Sequence, residues 1–194
     1  MSPNAKRLPT PDEAREGGYL AAENAEALLR TAIAAAGVHS FGAAVGLAVL
    51  ALEEAAKARA CFGLFASSRV GGRFGFSDKQ FRALIYGPHE FRHAAAFWQG
   101  ISNATRTAIL TGTYPPDPAQ KGRIQAELTA GEWLQTANDR KERGFYVDFS
   151  DAGAWKEPAG ITEADWEEAL GVVQPFVAEA LAQANRARSI RSSA

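Results

Sequence analysis

The residues that could do chemistry in this chain of 194 residues are few, and they cluster. Two of its three histidines fall within His89-Glu90-Phe91-Arg92-His93. Read as H-E-x-x-H on a helix, the two imidazoles share one face and Glu90 stands where a base would activate a metal-bound water. That reading, a zinc-dependent hydrolase using HEFRH (89–93), needs a third protein ligand. The extended motif would place a glycine and a third histidine where Ala96 and Gln99 stand. Glu127 and Glu132 are the remaining candidates, and nothing around either marks a ligand. The expectation is therefore no metal and no cofactor.

The same segment supports a second chemistry. Arg82 precedes His89 with six residues between them, in R-A-L-I-Y-G-P-H. Metal-free RNA cleavage needs a group that moves protons near neutral pH, which histidine supplies. It also needs a cation that grips a phosphate while charge builds, which arginine's fork supplies. Arg82 and His89 are thus the catalytic candidates. Arg92 and His93, one turn further on, are further phosphate-binding candidates, together with Lys57. His39 lies between two apolar runs and reads as a structural turn residue.

The elements that must position these groups are helical nearly throughout. Thr10-Pro11-Asp12-Glu13 is a capping box with proline at the first helical position. Gly17-Gly18 threatens to interrupt the helix behind it, so a start near Tyr19 and an end at Gly37 are the safer reading. A second helix spans about Ser40 to Ala66, apolar all round in its first half and amphipathic from Glu53-Glu54 on. Ser77-Asp78-Lys79-Gln80 caps a third helix, which Gly87-Pro88 should break. A helix then runs from Pro88 or His89 to about Leu110. Asp117-Pro118 starts a fourth main helix that reaches Arg143 and stops at Gly144. Phe145 to Phe149 reads as extended, and Thr162 opens a last helix that Pro175 should kink. The reading is an all-α bundle of about five main helices. It divides the chain into an N-terminal arm (1–18), a helical domain (19–185) and a frayed Arg/Ser tail (186–194).

Composition closes off several classes. Lys plus Arg is 21 and Asp plus Glu is 22, so no global basic field draws the chain to nucleic acid; any such binding is local. The single cysteine, Cys61, excludes an internal disulfide and a cysteine-based zinc cluster. The N-terminus has no apolar run of the kind a signal peptide needs. The stretch from Thr31 to Leu52 lacks charged residues, but its glycines, alanines and Ser40 fit two helices of a core better than a membrane span. No membrane and a cytoplasmic setting are expected. The glycine-rich segment 67–76 contains no nucleotide-binding fingerprint.

Three stretches carry a likeness. LALEEAAKA (50–58) places Glu53, Glu54 and Lys57 in a Glu-Glu-x-x-Lys pattern at the end of an apolar helix. His89-x-x-Arg92 resembles a His-x-x-Lys pattern, with arginine in the lysine's place. RKERGFYVDF (140–149) is a basic stretch followed by Gly-aromatic-Tyr-Val-Asp. In order and spacing these blocks resemble the AbiV family of abortive-infection proteins, a branch of the all-helical HEPN superfamily, over residues 20–150. The resemblance implies a HEPN-like bundle acting in antiphage defence as a metal-independent endoribonuclease. It also implies RNA as substrate, not DNA, and a homodimer with a composite site, released by a phage-encoded or host trigger protein.

Ala83 stands where the superfamily motif has a polar residue after the arginine. That departure suits the alternative of a non-catalytic HEPN module acting by RNA, ribosome or protein binding. The resemblance leaves Glu53 and Glu54 as orienting or structural groups. A glutamate following so apolar a half-helix would need an arginine or histidine partner if drawn inside.

Overall fold

A computed structural model of the chain describes residues 7–69, 78–87, 89–146, 148–149, 155–156 and 158–189. Two long antiparallel helices form its spine: α1 (Pro11–Gly37) and α2 (Phe41–Arg69). Their turn holds His39 at φ 57°, a left-handed conformation. The His39 N–H caps α1 at the Ala36 carbonyl, and its ring meets Phe41 edge-on.

Helix α2 is buried over most of its length because small residues let its neighbours approach. Ala44, Ala48, Ala51, Ala55, Ala56 and Ala58 are fully covered, with Val49 and Leu52 supplying bulk. Around α2 pack α1, α3 (Asp78–Tyr86), α4 (His89–Gly100), α7 (Ala137–Phe145) and α8 (Glu163–Ser189). Helices α5 (Asn103–Thr111) and α6 (Pro118–Gln135) form an outer hairpin beside α4. A two-rung antiparallel ladder, Asp148–Phe149 with Trp155–Lys156, and a 3-10 turn at Pro158–Gly160 connect α7 to α8.

The all-α expectation holds, but the described residues contain eight α-helices where about five were expected. Three differences have local causes. First, α1 starts at Pro11, not near Tyr19. The Thr10 capping box is closed in both directions, and Gly18 is accommodated because the Phe62 ring lies where a side chain would project. Second, the helix expected to run to Leu110 breaks after Gly100. Ser102 caps α5, and Glu127 of α6 accepts from both its N–H and its hydroxyl. Third, the helix expected to reach Arg143 breaks at Thr136, whose N–H and hydroxyl both turn back to the Trp133 carbonyl.

One further expectation changes: Phe145 is the last residue of α7 rather than the first of the extended run, while Pro175 lies inside α8 as expected. Among the described residues no helix is long and apolar enough to cross a membrane. The charge-free stretch 31–52 is divided by the α1–α2 turn.

A close crossing fixes α7 on α2. A Cβ at Gly46 would come within 2.6 Å of the Phe145 ring, and one at Gly42 within 2.7 Å of the Pro158 carbonyl. Gly144 sits equally close to the Gly42 backbone. Glycine is required here for approach, backbone against backbone.

Candidate functional site

Glu53 projects from the middle of α2 into the bundle, with 3% of its side chain exposed. Its carboxylate is met from two other helices. Arg92 of α4 donates to Oε2 at 3.0 Å. His93, the next residue, places Nε2 3.2 Å from Oε1. Lys141 of α7 brings Nζ to 3.4 Å from the same oxygen. A buried carboxylate carries a desolvation cost of several kcal/mol, which charged donors must offset. Here two cations and an imidazole do so, and α2, α4 and α7 are tied at one point.

Arg92 does more than neutralise Glu53. Its Nε donates to the Leu84 carbonyl at 3.2 Å and one terminal nitrogen to the Gly87 carbonyl at 3.4 Å. Those acceptors are carbonyls of the kind a helix end leaves unsatisfied. One guanidinium therefore caps α3 and clamps the turn that follows it. Gly87 is required in that turn, since a Cβ there would collide with the Ala83 carbonyl, which already accepts the Gly87 N–H at 2.8 Å. Arg82 lies half-buried on α3, just before this turn, and His89 is the first residue of α4 just after it. The side chain of His89, like those of Glu90 and Phe91, lies outside the described residues.

The candidates thus separate into two groups. Glu53, Arg92 and His93 come together inside the bundle. Arg82 and His89 flank the clamped turn. Glu54 and Lys57 belong to neither. They pair with each other three residues apart on α2, each about one-fifth exposed, in the wall of a groove between α1, α2 and α3. Lys141 was not among the residues singled out from sequence. Its signal was its position in the basic stretch 140–143, but a lysine in such a run reads by default as solvated.

The zinc reading rests on His89 and Glu90, whose side chains lie outside the described residues. Among the described residues no group of three His, Cys, Asp or Glu stands close enough to hold a metal ion. His93 directs Nε2 at Glu53, and Glu127 is engaged by Ser102. Cys61 is buried and its thiol is pushed up to about 11, chiefly by desolvation, with Lys57 opposing.

The ionic centre ties α2 to α4 and α7 within an all-helical bundle. The HEPN_AbiV family model, described as AbiV, matches residues 13–178, and the chain belongs to this abortive-infection family. Glu53, Arg92 and Lys141 fall one in each of the three blocks that carried the likeness, and the two cations converge on the one carboxylate. No protein of curated function and no solved structure matches the chain.

Proposed function

We propose that this AbiV-family protein is an antiphage effector that cleaves RNA without a metal, at the junction of α3 and α4. His89 acts as the general acid/base and Arg82 holds the phosphate. The observation that carries this reading is the Arg92 clamp. A guanidinium tied to a buried carboxylate holds both sides of the turn between Arg82 and His89, which is what preorganising two catalytic groups on adjacent helices requires. Arg92 and His93, committed to Glu53, are supports of the site in this reading rather than contacts to substrate. The protein works in the cytoplasm on RNA, as a homodimer, and is released by a phage-encoded or host trigger.

Without a metal-bound hydroxide, the nucleophile is the RNA's own 2′-hydroxyl. Histidine takes its proton, the 2′-oxygen attacks the adjacent phosphorus, and the 5′-oxygen of the next nucleotide leaves with a proton. The product carries a 2′,3′-cyclic phosphate, and DNA is not cut. The test is cleavage of RNA by purified protein in EDTA. His89→Ala should lower the rate by roughly 10²–10⁴-fold, the usual worth of a general acid/base, and Arg82→Lys should impair it because lysine lacks the fork. Both variants must show wild-type circular dichroism. Full cleavage by folded His89→Ala removes the histidine from the mechanism. Wild-type inactivity on every RNA, with toxicity retained, favours the module that binds without cutting, to which Ala83 after the arginine points.

A further inference from the structure

We infer that the groove between α1, α2 and α3 is a nucleobase subsite, taking an unstacked base of the RNA whose phosphate lies at the α3–α4 junction; this rests on the cleavage reading above. The groove has a volume of about 500 Å³, within the ~300–1,000 Å³ usual for small-molecule sites. Its walls are mostly apolar: Leu20 and Ala21 of α1, Cys61 of α2, Phe81 and Ile85 of α3. Tyr86, the last residue of α3, stands in the same wall with 46% of its surface exposed. A tyrosine ring at the edge of an apolar slot is a stacking platform for a base.

The charges sort as a nucleotide needs them. Inside the groove they cancel: Lys57 is paired with Glu54, and Glu13 with Arg7 at 2.6 Å. An uncharged planar group fits such a slot, and a free anion does not. The Asn24 carboxamide, together with the Glu54–Lys57 pair, offers donors and acceptors to a base edge. Arg82 lies one turn before Tyr86, at i and i+4 on the same face of α3. A base stacked on Tyr86 thus carries its phosphate toward Arg82, the group assigned to hold it.

Gly17 gives a direct test. It lines the groove from within α1, and a Cβ there would meet only the Cys61 sulfur, at 3.9 Å. Gly17→Leu therefore fills the groove without straining the backbone. Two readouts are needed: cleavage of oligoribonucleotides varied one base at a time around the scissile bond, and binding of the four nucleoside monophosphates followed by NMR. Wild-type protein should prefer one base by about tenfold or more. Gly17→Leu should level that preference and abolish binding of the preferred monophosphate. Tyr86→Ala should do the same and Tyr86→Phe should not, which keeps the test available if one variant fails to fold. His89→Ala should lose cleavage and keep monophosphate binding. Cleavage with a base preference untouched by Gly17→Leu and Tyr86→Ala overturns the subsite alone. Absence of cleavage with groove-dependent monophosphate binding overturns the catalytic reading and leaves the groove a nucleotide site. Absence of both overturns the two together.

Discussion

Arg92 and Glu53 stand 39 residues apart in the chain and meet at 3.0 Å inside the bundle, where the same guanidinium also reaches the Leu84 and Gly87 carbonyls. The pair joins the central helix to the turn between α3 and α4. Its strength rests on burial: the Arg92 side chain is 15% exposed and the Glu53 side chain 3%. Solvent screening, which reduces most surface ion pairs to little, is weak here.

Removing the carboxylate is the most damaging change the cluster allows. Glu53→Ala removes the buried carboxylate that Arg92, His93 and Lys141 share. It should cost about 3–5 kcal/mol in equilibrium urea denaturation, as breaking buried pairs does. Glu53→Gln keeps an acceptor oxygen and should cost less. A loss below about 1 kcal/mol for Glu53→Ala would show the cluster to be solvated.

The α2–α7 crossing should be intolerant of the smallest added group. Gly46→Ala places a methyl on the Phe145 ring and Gly42→Ala places one on the Pro158 carbonyl, so each should destabilise by about 1–3 kcal/mol. Gly42→Ala should be the worse, because a carbonyl in a turn cannot rotate away as a ring can. Gly122→Ala and Gly171→Ala meet open space on exposed helix faces and should stabilise by about 0.5–1 kcal/mol. Thermal melts of the four variants would rank them.

The first turn of α1 should respond to acid. The Arg7 side-chain bond, followed by the Thr10 backbone N–H, lowers the Glu13 carboxyl from 4.5 to about 2. A folded value below the unfolded one means that its contribution is fully present above about 4.5 and is lost as pH falls toward 2. NMR titration should find Glu13 well below an ordinary glutamate, and Arg7→Ala should move it back up. An unchanged value in Arg7→Ala would place the cause in the capping box alone.

Cys61 should be slow to react with thiol reagents at pH 8. Burial pushes its thiol to about 11, so almost none is the nucleophilic thiolate. Labelling should become rapid only in denaturant. Rapid native-state labelling would mean that the groove it lines opens more deeply than the static structure indicates.

Local signals in the sequence were strong where one side chain answers to its neighbours. The Thr10 and Asp117 caps, the turn after Gly37 and the break at Gly87 are each set by residues within four positions, and each is legible. The breaks at Ser102 and Thr136 were not. Ser102 caps because Glu127, 25 residues away, holds it, and Thr136 bends a chain whose residues otherwise favour helix on both sides. The candidate site divides in the same way. Glu53 stood out because a carboxylate follows a fully apolar half-helix. Lys141 could not, since only folding brings it to a carboxylate 88 residues earlier. The Gly18 misreading has the same origin: its tolerance inside α1 depends on Phe62, in another helix.

The α1–α2 hairpin has a consequence for synthesis. Its two helices are neighbours in the chain and pack side by side, so their contacts need no long loop to close and can form early. Glu53 therefore emerges on a hairpin able to fold before its cations exist. At ~5–20 residues per second, Lys141 follows it by roughly 4–18 s. Arg92 follows after only 39 residues, so the α3–α4 clamp can close first, and until Lys141 arrives the glutamate belongs to an unfinished face that water must still wet. The cluster is thus completed last, when α7 reaches a carboxylate that α2 presented 88 residues earlier.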